Sequence, residues 1–355
     1  MRPVDGPSPA DVRGRLLRWF DAHRRDMPWR RTRDPYRILV AEVLLQRTRV
    51  VSGTPYYERF LERFPTVQDL AKASSQDVLR AWEGLGFYRR ARNLHAAAEA
   101  IVERHAGEVP RDVAALEALP GIGPYTAGAI GSIAFGLRVP AIDGNATRVL
   151  SRLFRISDVI SLPGKGRLLE IAKALVPADR PGIFNQAVME LGATVCTPAS
   201  PECPVCPLED LCIARREGIQ EALPIRQRVR PSPVVPVVFG LVEDRDRVLL
   251  IRRPEPGLLG GLWALPGGER PRRSDDREAL AQAIRTQAGL EARVGLRLGR
   301  VDHTFSHRRW SGTVYRCEIL SDTRPSDAAR WMSRREVRSV PMVSFHRKLL
   351  ESIDA

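Results

Sequence analysis

Lysine is scarce in this chain: four of its 56 basic residues are lysines and the rest are arginines. That skew reads as the mark of a GC-rich coding sequence rather than of a function. Long apolar runs are missing as well. The longest, such as 234–242, fall far short of the roughly 18–20 residues that a membrane-spanning helix needs. The N-terminal stretch MRPVDGPSPADVRGRL mixes charges around no apolar core, so no secretory signal is expected. A membrane location is excluded on these grounds and a cytoplasmic one expected. There, the five cysteines suit metal better than disulfides.

What is present points to two folded domains. The 355 residues are 43% apolar and 28% charged, enough for packed cores and against whole-chain disorder. The net charge is +14. It divides into 34 basic and 26 acidic residues up to Arg230, and 22 and 16 beyond, so each half is basic in its own right. With a membrane surface set aside, that excess points to nucleic acid.

From about residue 10 to 214 the apolar spacing is helical almost throughout, with runs over 12–23, 36–51, 75–82, 91–105, 146–154 and 168–176. PIRQRVRPSPVVP (224–236) is rich in proline and arginine and reads as a semi-rigid linker. Beyond it the period changes. Segments 237–242, 248–251, 294–301 and 312–319 predict strands, and 277–288 and 345–353 predict helices. The expected fold class is therefore multidomain: an all-α domain over 8–223, a linker over 224–235, and an α+β domain over 236–355.

Cys196, Cys203, Cys206 and Cys212 form C-x6-C-x2-C-x5-C within seventeen residues. Four thiolates this close can converge on one centre. Zinc and a [4Fe–4S] cluster both accept four sulfurs, but only one pair here is tight, which favours the larger cluster. Cys317 lies alone in a predicted strand and reads as core.

In LPGIGPYTAGAI (119–130), Gly121 and Gly123 allow a tight turn between two helices, with Pro124 opening the second. Such a turn can offer backbone amides to a phosphate without regard to base sequence, or it can be an ordinary packing joint. Glu42, in YRILVAEVLLQ, sits on a helix apolar almost all round. A carboxylate there must be paired or protonated. Burial would raise its pKa toward that of a general acid, unless an arginine holds it. Asp143, in PAIDGNATRVL, precedes a predicted helix and on local grounds is its N-cap, as Asn145 could be.

The order of hairpin, DGN loop and cysteine spacing resembles the helix-hairpin-helix Gly/Pro–Asp superfamily of DNA base-excision glycosylases. MPWR (27–30) with AEVLLQRT (41–48), Tyr125, and HTFSH (303–307) narrow the resemblance to the adenine DNA glycosylase (MutY-type) family, over residues 10 to 355. It implies a helix-hairpin-helix glycosylase domain with a [4Fe–4S] loop at 196–212, followed by a Nudix-like domain. The implied partner is double-stranded DNA carrying 8-oxoguanine:adenine or guanine:adenine mispairs, engaged by a monomer. The base must be flipped out of the duplex before it can react.

The resemblance also assigns residues. Glu42 would protonate the adenine and Asp143 stabilise the sugar cation, with Tyr125 and Asn145 positioning them. Tyr125 stands where endonuclease-III-type relatives carry a lysine nucleophile, so no strand cleavage is expected. Trp29, Arg30, Leu45 and Gln186 would surround the adenine, and Gly121 and Gly123 would meet the DNA backbone. Phe305, Ser306 and His307 would read 8-oxoguanine. His307 by itself reads as a surface histidine.

Three departures stand out. Arg47 replaces a usual glutamine at the DNA wedge, and Phe87 replaces a usual tyrosine, losing its hydroxyl. The TPASPE loop lacks basic residues and carries Glu202. The Nudix box, anchored at Gly289-Leu290, falls on Gly268, Ser274, Gln282, Ala283, Thr286 and Gln287, so every metal carboxylate is replaced. The alternatives left open are an endonuclease-III-like glycosylase for oxidised pyrimidines, a silent lesion-binding or redox-sensing protein, and a Nudix hydrolase.

Overall fold

Residues that cap or open helices punctuate the first 220 positions, and the chain answers with short helices. They are α1 (Pro9–His23), α2 (Pro35–Leu45), α3 (Val50–Arg63), α4 (Val67–Lys72), α5 (Ser75–Ala81) and α6 (Arg89–Arg104). There follow α7 (Val113–Glu117), α8 (Pro124–Ile133), α9 (Gly144–Leu153), α10 (Leu162–Leu175), α11 (Pro181–Thr194) and α12 (Ile213–Arg216). Asp34, Asp112, Asp143 and Ser161 accept hydrogen bonds from the opening turns of α2, α7, α9 and α10. Proline opens α2, α8 and α11, where its missing N–H costs nothing. The computed structural model describes residues 6–225, 231–271, 273–305, 307–320 and 324–354.

The helix expected over 36–51 is broken. α2 stops at Leu45, and Arg47 takes φ 61° before α3 begins at Val50. The cause is distant in sequence. The Arg90 guanidinium on α6 donates to the carbonyls of Val43, Leu44 and Gln46, capping α2 from outside.

The chain divides into two units, Met1–Ala73 with Arg89–Arg228, and Ser74–Tyr88 with Val229–Ala355. In the first, α1, α9, α10 and α11 enclose a core that includes Leu16, Phe20, Leu150, Ile171, Phe184 and Leu191. Cys196, Cys206 and Cys212 pack against its edge.

In the second unit the strands are β1 (Val234–Asp244), β2 (Arg247–Arg252), β3 (Trp263–Ala264), β4 (Gly267–Glu269), β5 (Ala292–Thr304), β6 (Arg309–Ile319) and β7 (Ala329–Ser333). The helices are α13 (Asp276–Ala288), α14 (Arg334–Ser339) and α15 (Ser344–Asp354). The sheet is mixed, in the order β3-β2-β1-β6-β5, with β4 on β1 and β7 on β2. β1 and β6 run parallel, while β5 lies antiparallel to β6. Gly267 has φ 124°, and a Cβ there would fall 2.2 Å from the Val238 carbonyl, so only glycine lets β4 approach β1. Phe239, Leu250, Trp310, Val314 and Met332 fill the core on one face. Cys317 is buried, as its strand position predicts. Residues 226–230 of the expected linker, and Ser306, lie outside the described residues.

Candidate active site

α2 is apolar on every side: Ile38, Leu39, Val40, Ala41, Val43 and Leu44 are each at most 3% exposed. Glu42 is the lone acid on this helix, and it faces a cavity of about 650 Å³ in the first unit. All eight residues expected to act on or surround adenine line that cavity: Glu42, Asp143, Tyr125, Asn145, Trp29, Arg30, Leu45 and Gln186. Arg47 joins them at the broken end of α2. They come from α2 and the turn after it, α8, α11, the N-terminus of α9 and the 3₁₀ turn Pro28–Arg30.

No arginine pairs with Glu42 by hydrogen bond among the described residues. The Tyr125 hydroxyl donates to its Oε2 at 2.6 Å instead. Burial raises the Glu42 pKa to about 7, the Asp143 charge adds to this, and Tyr125 and Arg30 oppose it. Tyr125 is itself pushed well above an ordinary phenol, first by burial and then by the Glu42 charge. It therefore stays protonated and acts as a donor.

Asp143 is the N-cap that local sequence suggests, and it also faces the cavity. Its Oδ1 accepts from the Ala146 N–H at 2.7 Å and its Oδ2 from the Asn145 amide at 2.9 Å. The two readings do not compete, because capping leaves a carboxylate fixed at a helix N-terminus. Burial raises its pKa, while these donors and Arg148 hold it down. Arg148 in turn donates to Asn145 Oδ1 at 2.8 Å, to the Gly192 carbonyl at 2.7 Å and to the Cys196 carbonyl at 2.8 Å.

Sequence reading missed Glu190, on α11, which is 1% exposed and lines the same cavity. Arg25 binds it through Nε at 2.7 Å and Nη2 at 2.8 Å, and Arg30 Nη2 reaches it at 2.9 Å. Burial pushes its pKa up, but the two arginines outweigh that and hold it at about 2. The signal was available: FNQAVMELG sets one acid in an apolar helix, just as around Glu42.

The four clustered cysteines are half-buried. Arg152, 1% exposed, donates to Cys196 Sγ at 3.3 Å and to the Thr197 carbonyl at 2.7 Å. Burial first, and the neighbouring Cys196, Cys212 and Cys203 thiols in addition, push Cys206 up to about 12. The four sulfurs therefore share one electrostatic neighbourhood, with a buried cation beside it. Among the described residues no three His, Cys, Asp or Glu side chains are grouped to hold a single metal ion.

The remaining expected residues lie outside the cavity. Gly121, with φ 75°, and Gly123, the N-cap of α8, form the hairpin between α7 and α8. Phe87, Phe305 and His307 belong to the second unit. There the Nudix-box positions border a cavity of about 440 Å³. Gln287 Oε1 accepts from the Gly267 N–H at 2.8 Å, and its Nε2 donates to the Gly267 carbonyl at 3.0 Å. An amide can do both, whereas a carboxylate can only accept. Two carboxylates, Glu269 and Glu278, border the cavity at spacer positions of the box rather than at its metal-collecting ones.

Residues 40–215 match the HhH-GPD superfamily of base excision DNA repair proteins, and residues 237–352 match the NUDIX domain. The chain is 37% identical to the adenine DNA glycosylase of Homo sapiens over 95% of its own length and 73% of that protein. It is 39% identical to that of Mycolicibacterium smegmatis, over 73% of its own length and 88% of the other. Among solved structures, a thermostable thymine-DNA glycosylase matches with TM-score 0.55 at 32% identity, covering 59% of this chain and 97% of that one. A non-covalent endonuclease III–DNA complex matches with TM-score 0.51 at 26% identity, covering 60% and 99%. With a cavity built on Glu42 and Asp143 and relatives matched along nearly its whole length, this chain belongs to the adenine DNA glycosylase family.

Proposed function

We propose that the protein is a monofunctional glycosylase that hydrolyses the N-glycosidic bond of adenine opposite 8-oxoguanine or guanine in double-stranded DNA. One observation carries the reading: a carboxylic acid tuned to about 7 shares a cavity with a second carboxylate held by three donors. Such separated environments divide acid from stabiliser.

A flipped adenine enters the cavity, and Glu42 donates its proton to a ring nitrogen. The base leaves neutral with the electron pair of the broken bond. Asp143 stabilises the resulting sugar cation. Water adds its oxygen to the anomeric carbon and returns a proton to Glu42. Tyr125 keeps the Glu42 carboxyl oriented, and Asn145 does the same for Asp143. None of the residues bordering the cavity is a lysine, so no amine is available for a Schiff base.

Phe87, Phe305, Ser306 and His307 are assigned to the purine opposite. The thiols of Cys196, Cys203, Cys206 and Cys212, with Arg152 beside them, fit a [4Fe–4S] cluster, which when bound supplies four Fe–S bonds that tie residues 196–212 together.

Single-turnover assays on 8-oxoguanine:adenine and guanine:adenine duplexes, with and without alkali, test the reading. Free adenine should appear on both, with the strand nicked only after alkali. Nicking without alkali, or no adenine release, would overturn it.

A further inference from the structure

The second unit contains a short piece from early in the chain, Ser74–Tyr88. It comprises α5 and a turn, Gly84-Leu85-Gly86-Phe87, in which Gly84, Gly86 and Phe87 have φ 96°, 70° and 48°. Phe87 is 44% exposed at the end of that turn. Trp82, fully buried, donates through Nε1 to the Gly86 carbonyl at 3.0 Å.

Between helix and turn lies Glu83, whose side chain is 11% exposed. Its Oε1 accepts from Arg347 Nε, and its Oε2 accepts from Arg347 Nη2 at 3.1 Å and Arg80 Nη1 at 2.5 Å. The Arg347 fork is fixed in turn by the carbonyls of Val337 at 3.1 Å and Val340 at 2.7 Å. A bidentate arginine–carboxylate pair, both partners largely out of water, sets direction as well as distance.

Arg347 stands on the first turn of α15, two residues after Phe345. The Phe345 ring meets His303 at 5.3 Å and Trp310 at 5.9 Å between centroids. Phe305 meets the same two rings at 4.5 and 4.9 Å. One helical turn therefore holds the Phe87 turn through a charge pair and the 303–305 stretch through edge-on and tilted aromatic contacts.

We propose that Glu83 and Arg347 are positioning residues that register Phe87 against Phe305, and so set discrimination for the purine opposite the excised base. This rests on the assignment of Phe87, Phe305 and His307 to that purine.

The test compares E83A, R347A, the double variant and E83Q with the parent in the full-length protein. It measures single-turnover rates on 8-oxoguanine:adenine and guanine:adenine duplexes well below each variant's Tm. A misplaced contact remote from the chemistry is expected to lower the ratio of the two rates about ten-fold in E83A, with the guanine:adenine rate within about two-fold of the parent. R347A should match it, the double variant should lose no more than either single change, and E83Q should recover part of the ratio. Equal loss on both substrates, tracking Tm, would reduce the pair to a structural one and overturn the proposal. F87A and H307A in the same assay separate the two ideas. If both leave the ratio unchanged, the assignment of the opposite-base contact fails, and the positioning role with it. If both lower it while E83A does not, the positioning role alone fails.

Discussion

The cavity beside α2 gathers three carboxylates, Glu42, Asp143 and Glu190, whereas the cavity beside α13 has none at the positions where a Nudix fold would collect them for metal. In the first, each acid has a different environment and hence a different affinity for protons. Glu42 faces a phenol and is raised to about 7, and Glu190 faces two arginines and is lowered to about 2. In the second, Gln287 has turned a ligand position into a clamp on Gly267. The contrast teaches that a fold keeps its shape after its chemistry is removed, provided the vacated positions find hydrogen bonds. Chemistry persists only where acids are kept in distinct surroundings.

The largest test of that contrast is E42Q, which keeps the shape and removes the proton. Adenine release under single turnover should drop by about 10³-fold with mispair binding retained. Full turnover in E42Q would remove Glu42 from the mechanism.

The pH profile sharpens the same point. Glu42 is raised, so its protonated form predominates below about 7. Above that, the single-turnover rate should fall about ten-fold per pH unit. A rate that keeps rising from pH 7 to 9 would contradict the general-acid role.

E190A probes the other environment. It leaves two arginines without their carboxylate, and since Arg25 is 42% exposed the expected loss is moderate, about 2–3 kcal/mol at neutral pH by denaturant unfolding. Because the Glu190 pKa is lowered in the fold, its contribution is present above 4.5 and lost as pH falls toward 2. The gap between parent and variant should close over that window. A gap independent of pH would point to packing alone.

The smallest effect is expected at the vacated site. Q287E exchanges the donor to the Gly267 carbonyl for an acceptor and should cost about 1–2 kcal/mol. It should bring no Mg²⁺-dependent hydrolysis of nucleoside triphosphates, since Ser274, Ala283 and Thr286 would still leave the other metal-collecting positions of the box without carboxylates. Unchanged stability would show that the clamp does not hold β4.

Much of the fold was legible because its signals are local. The strand period over 237–242 and 312–319, and the helical period over 12–23 and 91–105, reappear as β1, β6, α1 and α6. β3 and β4, at two and three residues, are too short for any period to show. The gap between α2 and α3 was invisible because its four polar residues, Gln46-Arg47-Thr48-Arg49, read equally well as the solvated face of one continuous helix. What ends α2 is Arg90, 44 to 47 residues away. At the candidate site, Glu42 could be singled out because an acid on an all-apolar helix is anomalous. Glu190 carries the same anomaly and was overlooked for want of a matching motif.

The sequence by itself determined the inventory: one acid on a buried helix, a Gly-Ile-Gly hairpin, four cysteines spaced to converge, and a Nudix box without its carboxylates. Tertiary structure alone decided what each group became. It made Glu42 a weaker acid than a free glutamate and Glu190 a stronger one, broke the helix at Gln46, and placed Ser74–Tyr88 with the second unit. The physical reason is range. Period and capping report neighbours within a turn or two, whereas Tyr125 meets Glu42 across 83 residues and Arg25 meets Glu190 across 165. Proton affinity depends on those meetings and on burial, and neither is written in any local stretch of the chain.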